Sequence, residues 1–147
     1  MTQERKMTRE EMWAAYEEHA RGEHPQDIAK TVETVHEEAL YEDMATGEIR
    51  RGRGDVRRYY EALFRAFPGW KFTRRAVHVT DDHIISEVTI HAVHRGPYYN
   101  VPPTNREVSW RVCVVFTFKD GKVIGEREYS DRASFLRQLG VVELPNW

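Results

Sequence analysis

The 147-residue chain has a single cysteine, no apolar stretch of membrane-spanning length and almost balanced charge. One cysteine cannot form an internal disulfide, so the fold has to rest on its core. Cys113 sits in an apolar run and reads as a small buried hydrophobe. No run approaches the roughly 18 apolar residues of a spanning helix. The N-terminal MTQERKMTREE lacks the apolar segment of a secretory signal. With 22 Lys and Arg against 24 Asp and Glu, the formal charge is −2, which gives no general pull toward nucleic acid. The basic run Arg50, Arg51, Arg53, Arg57 and Arg58 reads as a solvated loop and helix start before it reads as an anion site. The expectation is a cytoplasmic protein with no membrane or nucleic-acid partner.

What is present suits one domain over 1–147. A chain of this length should bury about 68–70% of its unfolded surface, enough for a core without metals or disulfides. Thr8 and Glu11 make a capping box, and Trp13, Tyr16 and Ala20 follow at helical spacing until Gly22 ends the run. A second helix is predicted to start near Pro25, with Ile28, Val32 and Val35 as its apolar stripe. A short extended piece over Ala39–Asp43 follows. Val56, Tyr59, Tyr60, Leu63, Phe64 and Phe67 recur at i, i+3, i+4, i+7, i+8 and i+11, which predicts a third helix that Pro68-Gly69 stops.

From there the period changes to two. Strands are predicted over Trp70–Val79, His83–His94, Glu107–Phe118 and Val123–Ser130. Asp81-Asp82 is a turn between strands, GPYYNVPPTN a turn-rich connection and Asp120-Gly121 a hairpin turn. A last helix is predicted over Asp131–Leu139, ended by Gly140. Helices segregated from an antiparallel meander define an α+β class. The strand through Trp110, Val112, Val114, Phe116 and Phe118 is apolar on one face and, with Cys113 and Val115, half apolar on the other. Helices should cover the first face and a second copy of the chain the other, giving a homodimer through the sheet.

Four stretches carry a family resemblance: IRRGRGDVRRYYEALFRAFPGW, HRG at His94–Gly96, VPPTNREVS at Val101–Ser109, and FKDGKVIGEREYSDRASFLRQLG at Phe118–Gly140. At these mutual spacings the chain resembles a SnoaL-like polyketide cyclase, within the nuclear transport factor 2-like superfamily. The resemblance implies a cone, a cystatin-like α+β barrel, in which a curved antiparallel sheet wraps three N-terminal helices and a short C-terminal helix around an apolar pocket. It also implies intramolecular aldol closure of an aromatic polyketide without metal or organic cofactor. One carboxylate on the last strand is the acid/base, and the matching position is Glu128, a Glu where the family has Asp. Where family cyclases line the pocket with a Gln and a His this chain has Val112 and Val114, and a family Asn falls on Tyr41.

Alternation along the last strand puts Glu126, Glu128 and Ser130 on one face, and Arg127 and Tyr129 on the other. A carboxyl among Trp110, Val112, Val114 and Phe116 would lose solvation and be raised in pKa, and Glu126 nearby would push the same way. A raised carboxyl suits proton shuttling near neutrality. Glu126 is expected at a solvated rim, and Asp131 as the N-cap of the last helix. Trp13, Tyr16, Tyr41, Phe64 and His91 are further expected pocket residues. Tyr98 and Tyr99 belong either to the pocket mouth or to an interface between copies. His78, His83, His91 and His94 lack metal-site spacing, and His91 and His94 face opposite sides of one strand. His36 or His91 remains a candidate acid/base partner.

Three functions are open: a cofactor-independent cyclase or isomerase of a polyketide- or terpenoid-like carbonyl compound, a non-catalytic module binding a small apolar molecule, and an epoxide-opening enzyme. The last wants two acids about an Arg, for which Asp131 with Arg111 or Arg127 is the nearest set.

Overall fold

The structure, a computed structural model, describes residues 4–146. The first three residues of MTQERKMTREE therefore lie outside the described residues. Helix α1 spans Arg9–Glu23 and starts in a complete capping box: the Thr8 hydroxyl accepts from the Glu11 N–H at 3.1 Å, and the Glu11 carboxylate accepts from the Thr8 N–H at 2.8 Å. One face, with Met12, Ala15, Tyr16, His19 and Gly22, is buried, while Trp13 points outward. Helix α2, Ile28–Glu33, starts three residues after Pro25, the start that the sequence predicts. Asp27 caps it by accepting from the Lys30 N–H at 3.0 Å, and Pro25 lies in the connecting turn. A side chain at Gly22 would meet the Thr31 backbone at 2.6 Å, so the missing Cβ is what lets α2 fold back onto α1.

Strand β1 spans Val35–Asp43, so Val35 opens a strand and does not close a helix. A short β2, Ile49–Arg51, precedes helix α3, Gly52–Ala66. Val56, Tyr60 and Phe64 form the buried stripe of α3. It ends because Phe67 precedes a proline and leaves the helical region, with φ −130° and ψ 62°. Strands β3 (Lys71–Val79), β4 (Ile84–Val93), β5 (Glu107–Lys119) and β6 (Lys122–Ser130) follow, then helix α4, Arg132–Leu139. Asp120 and Gly121, both at positive φ, make the two-residue turn between β5 and β6.

The six strands form one curved, open sheet in the order β2-β1-β6-β5-β4-β3. It departs from the expected antiparallel meander in three ways. It is mixed, because β1 runs parallel to β6. It does not close into a barrel. The third helix follows two strands instead of preceding the sheet. The C-terminal strand thus fills the gap between the first strand and the meander, which places its residues at the centre.

Along β5, Val108, Trp110, Val112, Val114 and Phe116 alternate inward. Phe67 is fully buried and meets Trp110, Tyr98 and Phe135 at ring separations of 5.2–5.6 Å. Cys113 has the opposite parity to Val112 and Val114. It is half-buried, so the expectation of a fully buried core thiol is corrected by strand alternation. Among the described residues no helix is long and apolar enough to cross a membrane.

Candidate functional site

A cavity of about 880 Å³ opens between the inner face of the sheet and helices α1, α3 and α4, within the size range of small-molecule pockets. Two polar centres interrupt its aromatic and aliphatic wall.

The first centre is built on β6. The antiparallel register sets Glu128 against Val114, and the parallel register sets it beside Asp43. The Tyr59 hydroxyl donates to Glu128 Oε2 at 3.2 Å. Arg132, on the first turn of α4, reaches Asp43 Oδ2 at 2.6 Å and also donates to the Tyr98 hydroxyl. The other Asp43 oxygen accepts from the Ala45 and Thr46 N–H groups at 2.9 and 3.2 Å. Burial pushes the Glu128 carboxyl up, and the charge of Asp43 adds to this. Arg132 and the Tyr59 hydrogen bond oppose them, and the result is about 7. Burial and the neighbouring carboxylate raise Tyr59 far enough that its hydroxyl stays protonated.

The second centre joins α1 to β6. His19 Nδ1 lies 2.7 Å from Thr34 Oγ1, whose own proton goes to the Thr31 carbonyl at 2.6 Å. Thr34 therefore accepts, and Nδ1 carries a hydrogen. Nε2 lies 3.0 Å from the Tyr60 hydroxyl, 3.2 Å from Glu126 Oε1 and 3.4 Å from Glu23 Oε2. Burial lowers the His19 pKa, but Glu126 and Glu23 outweigh it and the net direction is upward. Burial raises Glu23, His19 pulls it back and Glu126 and Glu128 add to the rise, leaving it at about 7.

Of the residues singled out in the sequence, Tyr16, Tyr98, Tyr99, Trp110, Val112, Val114, Phe116, Glu126 and Glu128 line the cavity. Trp13, Tyr41, Phe64, His91 and Asp131 do not. Trp13 occupies the exposed side of α1. Tyr41 and Phe64 are buried in the packing around Tyr60. His91 is on the outer face of β4, 3.4 Å from Thr73. Asp131 caps α4, accepting from the Ser134 N–H at 3.2 Å, and pairs with the exposed Arg111 at 3.3 Å, away from the cavity. His36 pairs with Asp120 at 3.3 Å, also outside.

Two expectations change sign. Glu126 is buried against His19 instead of solvated, because α1 covers that end of β6. Arg50 leaves the solvated basic run, lies over the Tyr59 ring at 4.1 Å and bonds Glu48 and the Tyr99 hydroxyl. Sequence reasoning missed His19, Glu23, Asp43, Tyr59 and Arg132. Tyr16, His19 and Glu23 stand at i, i+3 and i+7, one face of α1, and that spacing was the available signal.

The α+β architecture with a cavity inside an open curved sheet is a nuclear transport factor 2-like fold. The chain belongs to the SnoaL-like polyketide cyclase family, whose model matches residues 10–139. No curated protein sequence matches it. A crystal structure assigned as a SnoaL-like polyketide cyclase from Jannaschia sp. CCS1 superposes with TM-score 0.83 at 18% identity, covering 96% of this chain and 99% of that one. AclR from Streptomyces galilaeus, assigned as a hydroxylase, gives 0.80 at 21%, covering 94% and 87%. An LEH-like epoxide hydrolase of M. tuberculosis gives 0.70 at 17%, covering 88% and 90%. At these identities the likeness is one of fold.

Proposed function

We propose that the protein is a cofactor-independent cyclase or isomerase of a polyketide- or terpenoid-like carbonyl compound, with Glu128 as its acid/base. The carrying observation is a carboxyl near neutral pKa facing an aromatic-walled cavity. Near neutrality such a group is about half ionised, so it can accept a proton and return it. As base it takes the proton alpha to a substrate carbonyl, and the enolate carbon then attacks or is reprotonated elsewhere. Tyr59 holds the carboxyl in line, and Val112 and Val114 give the ring system a flat apolar wall. Native mass spectrometry of the purified protein would identify a bound small molecule. Turnover of that molecule should fall at least about 100-fold in Glu128→Gln, the usual scale of acid/base catalysis. A variant as fast as the parent would refute the role.

A second reading is a binding module. It is favoured by Val112 and Val114, which put aliphatic side chains where family cyclases carry polar ones. A co-purified ligand that returns chemically unchanged would decide for it. Epoxide opening gains a better arrangement than Asp131 offered: Asp43 and Glu128 flank Arg132 on the cavity side. Assay with a small epoxide tests it.

The proposed assembly is a homodimer through the outer face of the sheet, where Tyr129 is exposed beside Cys113. Sedimentation equilibrium checks it, and Tyr129→Glu should weaken it. The compartment proposed is the cytoplasm.

A further inference from the structure

The reaction proposed above occupies one carboxyl, but the cavity holds a second titratable cluster on its α1 wall. His19 is fixed at both ring nitrogens, and two carboxylates, Glu126 and Glu23, lie within 3.4 Å of Nε2. One imidazolium can neutralise one of them. The cluster therefore keeps a carboxyl beyond what its cation balances, in a wall shared with Tyr16, Phe116, Trp70, Ser86 and Arg74, whose guanidinium pairs with Glu17.

Both carboxyls line the cavity, and Glu23 is the more open of the two, its side chain 22% exposed against 9% for Glu126. Glu23 is also the last residue of α1, where the helix presents its negative end and where a cation would ordinarily be found. Its position is set from two sides: its carbonyl accepts from the Trp70 indole at 3.1 Å, and the preceding Gly22 is pressed against α2. The charged and titratable groups around it are His19, Tyr16 and the adjoining His24 at the α1 end, Glu126 and Glu128 from β6, Tyr41 from β1, Tyr59 and Tyr60 from α3, and Arg74 from β3 on the same cavity wall.

We infer that Glu23 is a second catalytic carboxyl of this cavity, a proton donor to a substrate oxygen, and that His19 is its positioning residue. This rests on the assignment of Glu128 as base. Glu128 takes the proton from carbon, the freed electron pair forms the new carbon–carbon bond, and the acceptor carbonyl's π pair moves to its oxygen. Glu23 supplies the proton that oxygen needs. The step ends with Glu128 protonated and Glu23 ionised, and exchange with water restores both. The substrate this fits is a polyketone whose enolisable carbon lies against β6 and whose acceptor carbonyl lies against α1.

Carbon-13 NMR of protein labelled at glutamate Cδ tests this without a known substrate. Two glutamate carboxyls should titrate near 7. Glu23→Gln should remove one and leave the other, and Glu23→Asp should move it. His19→Gln should raise the Glu23 midpoint, because the imidazolium holds it down, whereas a merely space-filling His19 would leave it unmoved. 2-Naphthol, a fixed enol mimic, should perturb the Glu23 resonance in the parent and in Glu128→Gln, and should bind about 10-fold more weakly to Glu23→Gln. A Glu23 midpoint in the ordinary carboxylate range, or a Glu23 resonance unmoved by saturating 2-naphthol, would overturn the inference. Parental turnover by Glu128→Gln, with the Glu23 responses intact, would instead overturn the role of Glu128 alone.

Discussion

Asp43 and Glu128 are neighbours across the parallel pairing of β1 and β6, and a single guanidinium, Arg132, is bonded to one and acts on the other. Adjacent strands lie about 4.8 Å apart, so the two acids share one electrostatic environment. The charge of Asp43 raises Glu128 and the charge of Arg132 lowers it.

Opposite substitutions should therefore move Glu128 in opposite directions. Asp43→Asn should lower its titration midpoint and Arg132→Met should raise it, read by carbon-13 NMR. If both variants shift it the same way, the coupling is not electrostatic.

Arg132→Met should also cost stability. It leaves Asp43, 7% exposed, without its cation, and breaking a buried pair from one side costs about 3–5 kcal/mol. Two backbone N–H groups still serve Asp43, so the low end is expected. Urea unfolding measures it, and Asp43→Asn added to Arg132→Met should recover part of the loss.

Stability should fall as pH rises toward neutrality. Glu128 is raised from 4.5 to about 7 in the folded chain, so between those values the native state holds a proton that the unfolded state has released. Unfolding free energy then decreases with pH across that window. Glu23 acts in the same direction, and so does His19, whose raised pKa gives stability that is lost as pH climbs through it. One carboxyl displaced this far contributes at most about 3 kcal/mol. Thermal melts at pH 5 and pH 7.5 should show the slope, and Glu128→Gln should flatten it.

Phe67→Ala should destabilise by about 3–5 kcal/mol, the range for a buried aromatic. The residue is fully buried, and its ring packs among His94, Tyr98, Trp110 and Phe135. The loss should extend to 2-naphthol binding, because Tyr98, Trp110 and Phe135 line the cavity. Calorimetry of unfolding and of binding separates the two effects. Val114→Phe should weaken 2-naphthol binding without the loss of stability, because it fills cavity space while the fold persists.

Period-two alternation made the meander strands legible, and the aromatic stripe did the same for α3. The same rule put Glu126 and Glu128 on one face, and the family resemblance said that this face is the inner one. The parts that failed to show are those set by distant partners. Asp43 becomes a site residue only through a parallel pairing that no local pattern announces. Glu126 was read as solvated because its cover, His19, lies on the first helix. Arg132 was hidden inside D-R-A-S, a string that reads fully as a helix start. Strand β2, three residues long, is too short to carry a period.

Because β6 is slotted between β1 and β5, both acid centres are completed by a strand that is made after its two neighbours. A nascent or truncated chain lacking that strand has neither Glu126 nor Glu128 to offer. Ligand capture by this protein is therefore a report that β6 has been inserted, and any molecule that occupies the chamber should hold β6 and α4 to α1.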